Sequence, residues 1–141
     1  MKRTASAKWT GSLKDGKGQL TAPGGVLKST PYSFAARFGD APGTNPEELI
    51  AAAHAGCFSM AFSAALGKAG FTPASIETTA SLSLDQVGGG FEITAIHLDM
   101  AAAVPGIDAA KFQAIADDAK ANCPVSKVLK AKITLAATLK S

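Results

Sequence analysis

Between Leu49 and Gly67 the chain carries no Asp, Glu, Lys or Arg, and the apolar residues of this stretch follow one another without a polar face. The segment from Asn45 to Gly70, NPEELIAAAHAGCFSMAFSAALGKAG, predicts one long helix. Asn45 is a suitable N-cap. Pro46 falls at the first helical position, where a missing N–H costs nothing, and Glu47 and Glu48 lie at the positive end of the dipole. Gly70 is a natural left-handed cap at the other end. A helix with no polar face is expected to be covered by protein nearly all round. Cys57 sits in its middle.

The flanking segments alternate instead. Residues 4–22 predict a hairpin about a turn at Asp15–Gly18, with Trp9 packing one face. Residues 32–38, YSFAARF, read as a third strand with Tyr32, Phe34, Ala36 and Phe38 on one face, and with Arg37 on the other beside Ser33 and Ala35. Beyond the helix, Ile76, Thr78, Ala80, Leu82 and Leu84 alternate, Gly88–Gly90 turn the chain, and residues 91–103 return as the second half of a hairpin. The three glycines are not a phosphate loop, since no helix follows them. Asp108 is the candidate N-cap of a second helix running to Asn122. Cys123-Pro124 interrupts that helix and opens a short one, PVSKVLK, before a last strand with Ile133, Leu135, Ala137 and Leu139 on one face. The sum is a single α+β domain over residues 1–141.

Composition narrows the function classes. A chain of 141 residues with 47% hydrophobic residues can build one core. The net charge of +3 comes from scattered lysines with no basic run, which argues against nucleic-acid binding. The only arginines are Arg3 and Arg37. Leu49–Leu66 reaches membrane-spanning length, but it is dominated by alanine and holds His54, Gly56, Ser59 and Ser63, so a buried helix with no membrane partner is the better reading. The basic start is not followed by an apolar signal region, and a cytoplasmic location is expected. Covering the whole circumference of the helix from one small chain is difficult. Ala51–Ala53, Ala55 and Gly56 permit close approach of a second backbone, which points to a homodimer.

The candidate chemistry is thiol chemistry. Cys57 and Cys123 are the only cysteines and form no CxxC pair, and in a reducing compartment a permanent disulfide between them is not expected. A thiol of ordinary pKa, ~8.5, is only a few per cent ionised at neutral pH, so a nucleophilic cysteine needs help. Cys57 lies about 15 Å along its helix from the N-terminus, too far for the dipole. Cys123, just before Pro124, occupies a candidate N-cap and on local electrostatics is the better nucleophile, whereas Cys57 requires an imported cation. Arg37 is the natural import, with Glu47 as its carboxylate partner, although the two also read as a purely structural ion pair. His54, three residues before Cys57, is a candidate general base or, with Cys57, His97 and Cys123, a metal ligand; no compact ligand spacing supports a metal, and a packed histidine is the plainer reading. Phe34, Phe38, Phe58, Phe62 and Phe91 are core by default, with some available to line an apolar pocket.

Together, NPEELIAAAHAGCFSMAFS, the PYSFAARF segment before it and VPGID through NCPVSKVLKAKITL resemble the OsmC branch of the OsmC/Ohr family, osmotically inducible protein C and its organic-hydroperoxide-resistance relatives. The resemblance covers nearly the whole length. It implies an α+β fold with antiparallel sheets around a long buried central helix, in an intertwined homodimer with active sites near the subunit interface. It also implies a thiol peroxidase of peroxide and osmotic stress defence, without a cofactor or metal, reducing hydroperoxides to alcohols or water. Residue by residue, Cys57 matches the peroxidatic thiol, Cys123 the resolving thiol, Arg37 the catalytic arginine and Glu47 the glutamate that orients it. His54 matches no catalytic position. The partners implied are a hydroperoxide substrate and an external dithiol reductant, for which the lipoyl type used by the Ohr branch is the candidate class. The alternative is a redox sensor or carrier of apolar oxidised molecules that turns over slowly, and two inert core thiols are the third reading.

Overall fold

A computed structural model describes residues 1–141, and the chain divides into two compact units, Met1–Leu49 and Ile50–Ser141. In the first unit β1 (Ser6–Thr10), β2 (Lys17–Thr21) and β3 (Thr30–Tyr32) form an antiparallel sheet in that order. Thr10 pairs with Lys17, so the hairpin connection is Gly11–Gly16 and not the expected turn at Asp15–Gly18. Ser12 closes it early: its carbonyl accepts the Gly16 N–H at 2.8 Å and its hydroxyl accepts the Asp15 N–H at 3.2 Å. Trp9 packs its ring 5.4 Å from that of Tyr32.

The segment expected to continue as a strand to residue 38 instead becomes a short helix, α1 (Phe34–Phe38). Ser33 is the cause. Its backbone is extended and its hydroxyl accepts the Ala36 N–H at 3.0 Å, which satisfies a first-turn donor and starts a helix. Phe34 and Phe38 then stand four residues apart on one helical face, with ring centroids at 4.9 Å. Two-residue alternation and four-residue spacing coincide for this pair, so the apolar pattern suits either state.

The long helix α2 runs from Pro46 to Lys68 and crosses the boundary between the units. Asn45 caps it as expected, its Oδ1 accepting the Glu48 N–H at 2.8 Å. Its C-terminus is a Schellman closure: the Gly70 N–H donates to the Gly67 carbonyl at 3.1 Å and the Phe71 N–H to the Leu66 carbonyl at 2.9 Å, with Gly70 at φ +86°. Within one chain, burial is confined to a stripe of His54, Phe58, Phe62 and Leu66, while Ala52, Ala53, Gly56 and Met60 are exposed. The helix is long and apolar enough to cross a bilayer by composition, but its buried stripe makes it a core helix.

In the second unit β4 (Ser75–Val87) and β5 (Gly90–Ala103) form a long hairpin. Gly88 and Gly89 turn it with φ of +56° and +82°, the two positive values that a type I′ turn demands. β5 is the middle strand and buries Ile96, Leu98, Met100 and Ala102 completely. The last strand, β6 (Lys132–Leu139), pairs with β5 in parallel, so this sheet is mixed where antiparallel pairing alone was expected. Parallel neighbours need a crossover. It is supplied by α3 (Ala109–Asn122), capped by Asp108 Oδ1 on the Lys111 N–H at 2.8 Å, and α4 (Pro124–Val128), two residues shorter than expected. Phe112 of α3 meets Phe62 edge to face at 5.4 Å and joins α3 to the stripe of α2.

The Schellman cap isolates one backbone effect. A Cβ at Gly70 would meet nothing within 4 Å, so Gly70→Ala changes conformational strain and no contact. It is expected to lower the unfolding free energy by about 1 kcal/mol in urea titration. An unchanged midpoint would show that the cap carries no strain.

Candidate active site

Cys57 lies on α2 immediately before the fully buried Phe58 and is partly exposed. Cys123 is the joint between α3 and α4, and its side chain is completely buried. Its N–H donates to the Ala119 carbonyl at 2.9 Å, closing α3, and its own carbonyl accepts the Lys127 N–H at 3.1 Å, opening α4. Pro124 keeps residue 123 out of the helical region, and its backbone is at φ −55°, ψ 127°. The joint therefore aims the Cys123 thiol at α2, where its Sγ lies 2.8 Å from that of Cys57, both thiols being free. A disulfide of ~2.04 Å needs only a small further approach.

The expected advantage of Cys123 at an N-cap loses its basis, because its thiol makes no capping bond to α4. The helix start serves the other cysteine: the Val125 backbone hydrogen bond favours the Cys57 thiolate. That help is outweighed. Burial pushes the Cys57 thiol up from its ordinary value, and the hydrogen bond and charge of Cys123 push it the same way. These surroundings favour the neutral thiol of Cys57.

The second pair of predicted residues also meets. Arg37, on α1 and not on a strand, grips Glu47 in the first turn of α2: Nε lies 3.1 Å from both carboxylate oxygens and Nη2 lies 2.6 Å from Oε1. Asn45 arranges the meeting. While its oxygen caps α2, its Nδ2 donates to the Ala36 carbonyl at 3.3 Å, which ties the residue before Arg37 to the helix start. Glu47 occupies the Nε and Nη2 edge and leaves Nη1 outside the pair. Beside the guanidinium, Trp9, Leu13, Tyr32, Phe34 and Phe38 line a cavity of about 320 Å³. An apolar wall with one fixed cation suits an apolar molecule that carries a polar end. The four predicted site residues thus form two pairs, Arg37–Glu47 in the first unit and Cys57–Cys123 in the second.

His54 is a packed residue, as the plainer reading expected. It is fully buried, its Nε2 lies 2.7 Å from Ser126 Oγ, its Nδ1 has no partner, and burial lowers its pKa from the ordinary value. His97 is on the exposed side of β5 and bonds Thr134 at 2.6 Å. No group of three or more His, Cys, Asp or Glu side chains is placed to hold a metal. Ser126 was absent from the sequence-based candidates. The signal for it was its spacing, three residues after Cys123 as His54 is three before Cys57.

Residues 39–138 match the family model described as OsmC-like protein. The chain belongs to the OsmC-like family. The match spans Glu47, Cys57 and Cys123 and begins two residues beyond Arg37. Over 139 residues the chain is 58% identical to the peroxiredoxin OsmC of Escherichia coli K12, covering 99% of this chain and 97% of that protein. Over 112 residues it is 36% identical to the organic hydroperoxide resistance protein of Xanthomonas axonopodis pv. citri, covering 79% of this chain and 75% of that one. Among solved structures, OhrB of Bacillus subtilis superposes with a TM-score of 0.69 at 27% identity, covering 97% and 98% of the two chains.

In this OsmC-like chain the influence of Cys123 on the Cys57 thiol can be measured. Removing Cys123 removes two of the three influences that raise the Cys57 pKa and leaves burial, the largest. In Cys123→Ala the Cys57 thiolate, followed by ultraviolet absorbance, should therefore appear at lower pH than in wild type. A midpoint that stays or rises would contradict the coupling.

Proposed function

We propose that this chain is a cysteine-based peroxidase that reduces organic hydroperoxides to alcohols, with Cys57 as first nucleophile and Cys123 as resolving thiol. The observation that carries the order of events is exposure: Cys57 is partly exposed, whereas Cys123 is buried directly behind it at 2.8 Å. A peroxide reaches the outer sulfur first, and the inner sulfur is within reach of the product. The names of the relatives, a peroxiredoxin and an organic hydroperoxide resistance protein, agree with this reading.

The Cys57 thiolate attacks the outer peroxide oxygen, the O–O bond breaks, and the alkoxide leaves as alcohol after taking a proton. Cys57 is left as sulfenic acid. The Cys123 thiol then attacks the Cys57 sulfur, the S–O bond breaks, water leaves and a disulfide forms. An external dithiol returns both thiols by two exchanges and departs as its own disulfide. A lipoyl-type dithiol is the chemical class proposed for that role.

Arg37 supplies the charge that the surroundings of Cys57 lack. We assign it to the peroxide, with Glu47 fixing its fork and the free Nη1 donating to the departing oxygen. Lowering a thiol pKa from ~8.5 to ~6 raises the thiolate fraction about thirty-fold at pH 7, but a Brønsted slope near ~0.45 gives back roughly ten-fold of that. Orientation and charge stabilisation on the leaving oxygen therefore account for more than ionisation does. The aromatic cavity beside Arg37 takes the organic part of the substrate. The two units function as one domain. In a homodimer, a second copy covers the exposed side of α2, where Ala52, Ala53 and Gly56 allow close backbone approach.

With cumene hydroperoxide and a dithiol in steady state, Cys57→Ser should be inactive and Cys123→Ser should complete one turnover and stall. Turnover by Cys57→Ser equal to wild type would sink the assignment; a wild type that reacts once and does not recycle would favour the sensor or carrier. Arg37→Lys keeps the charge but loses the fork. It should lower kcat/KM on the order of 100-fold, the scale of losing one donor to a developing oxyanion. A loss under about three-fold would return Arg37–Glu47 to a structural role.

A further inference from the structure

α4 has five residues, too few to hold itself, and begins at the proline that follows the resolving cysteine. Val128 at its end is 76% exposed. Its single buried residue is Ser126, and the partner of Ser126 is His54, the one polar member of the buried stripe on α2. An apolar pair would fill this position at lower cost, since the histidine arrives with Nδ1 buried and unpartnered. A hydrogen bond adds what an apolar contact lacks, a fixed direction and register.

The register bears on the thiols. His54 precedes Cys57 by three residues on α2, and Ser126 follows Cys123 by three on the opposing segment. Residues three apart share a helix face, so the 2.7 Å His54–Ser126 contact and the 2.8 Å thiol contact are adjacent rungs between segments running in opposite directions. A shift of α4 that breaks one rung displaces the other.

We propose that the His54–Ser126 hydrogen bond is the positioning device of the resolving step, holding α4 so that Cys123 closes on the Cys57 sulfenic acid before a second hydroperoxide does. The proposal rests on the peroxidase reading given above. Two reactions compete for the sulfenic acid: Cys123 expels water and forms the disulfide, or a second hydroperoxide transfers an oxygen, giving sulfinic acid and alcohol. Only the first requires α4 to be in register. His54 and Ser126 are positioning residues, and neither touches the substrate.

The test uses the full chain in rapid-mixing single turnovers with cumene hydroperoxide, quenched with an alkylating agent and read by mass. Hydroperoxide loss reports the first step, and disulfide and sulfinic acid report the partition. In Ser126→Ala the first step should stay within about two-fold of wild type, while disulfide formation slows about ten-fold and the sulfinic fraction at fixed hydroperoxide rises to match. Ser126→Thr, which keeps the hydroxyl, should restore the partition. A general loss of structure slows both steps and leaves the rescue without effect. If Ser126→Ala does not fold, His54→Gln, which keeps one donor but not the ring geometry, gives the same readout. An unchanged ratio of disulfide to sulfinic acid in the folded variant would overturn the proposal. Wild type that consumes hydroperoxide without forming a Cys57–Cys123 disulfide would overturn it together with the peroxidase reading.

Discussion

Taking the Cys57 thiol partly out of water is the constraint to which the other features of the site respond. The residue sits beside the stripe that buries α2, next to Phe58 and on the same helix as Phe62 and Leu66, whose packing sets the core of the second unit. Burial stabilises the neutral thiol, and the nearby Cys123 adds to the effect. The Val125 N–H at the start of α4 is too weak a counterweight. A thiol held in this way has no cation among the influences on it, and in the proposed reaction that charge comes from Arg37.

The Arg37–Glu47 pair is assembled by a chain of helix caps. Ser33 starts α1 by accepting the Ala36 N–H; the Ala36 carbonyl receives Asn45 Nδ2; Asn45 Oδ1 caps α2. Each bond satisfies a terminal backbone group that would otherwise need water. Their combined effect is to place Arg37 and Glu47, ten residues apart, in a two-pronged ion pair. Glu47 serves twice, as an acidic residue in the first turn of α2 and as the anchor of the guanidinium. Its side chain is 15% exposed against 38% for that of Arg37, which leaves the cation the more accessible partner. An ion pair built only for stability gains little from such exposure.

What could be read from the sequence followed the range of the forces. Caps act within four residues, and Asn45, Gly70 and Asp108 were all recognisable. The long uncharged run gave α2, and period-two alternation gave β4 and β6. Residues 34–38 are helical where alternation predicts a strand, because Phe34 and Phe38 satisfy both periods and the Ser33 hydroxyl, a single hydrogen bond outside the apolar pattern, decides between them. The parallel pairing of β6 depends on where α3 and α4 carry the chain and has no local signature. Ser126 carries only a spacing cue, because its meaning depends on His54, 72 residues away. Motif resemblance supplied the roles of the cysteines that local electrostatics had ranked in the opposite order.

That reversal has a physical content of its own. Judged by helix position, the N-cap cysteine is the better nucleophile, but only where the thiol faces its own helix start. Cys123 turns away, because Pro124 forces an extended backbone and the buried side must be filled. The Val125 N–H is then offered across the gap to Cys57, and Cys123 becomes the partner that reaches toward Cys57 instead of toward solvent. A cysteine with no access to solvent is poorly placed to meet a peroxide and well placed to meet a sulfenic acid. On the proposed chemistry, accessibility ranks the two thiols before pKa does, and the short helix that follows Cys123 matters less for its dipole than for where it holds the sulfur.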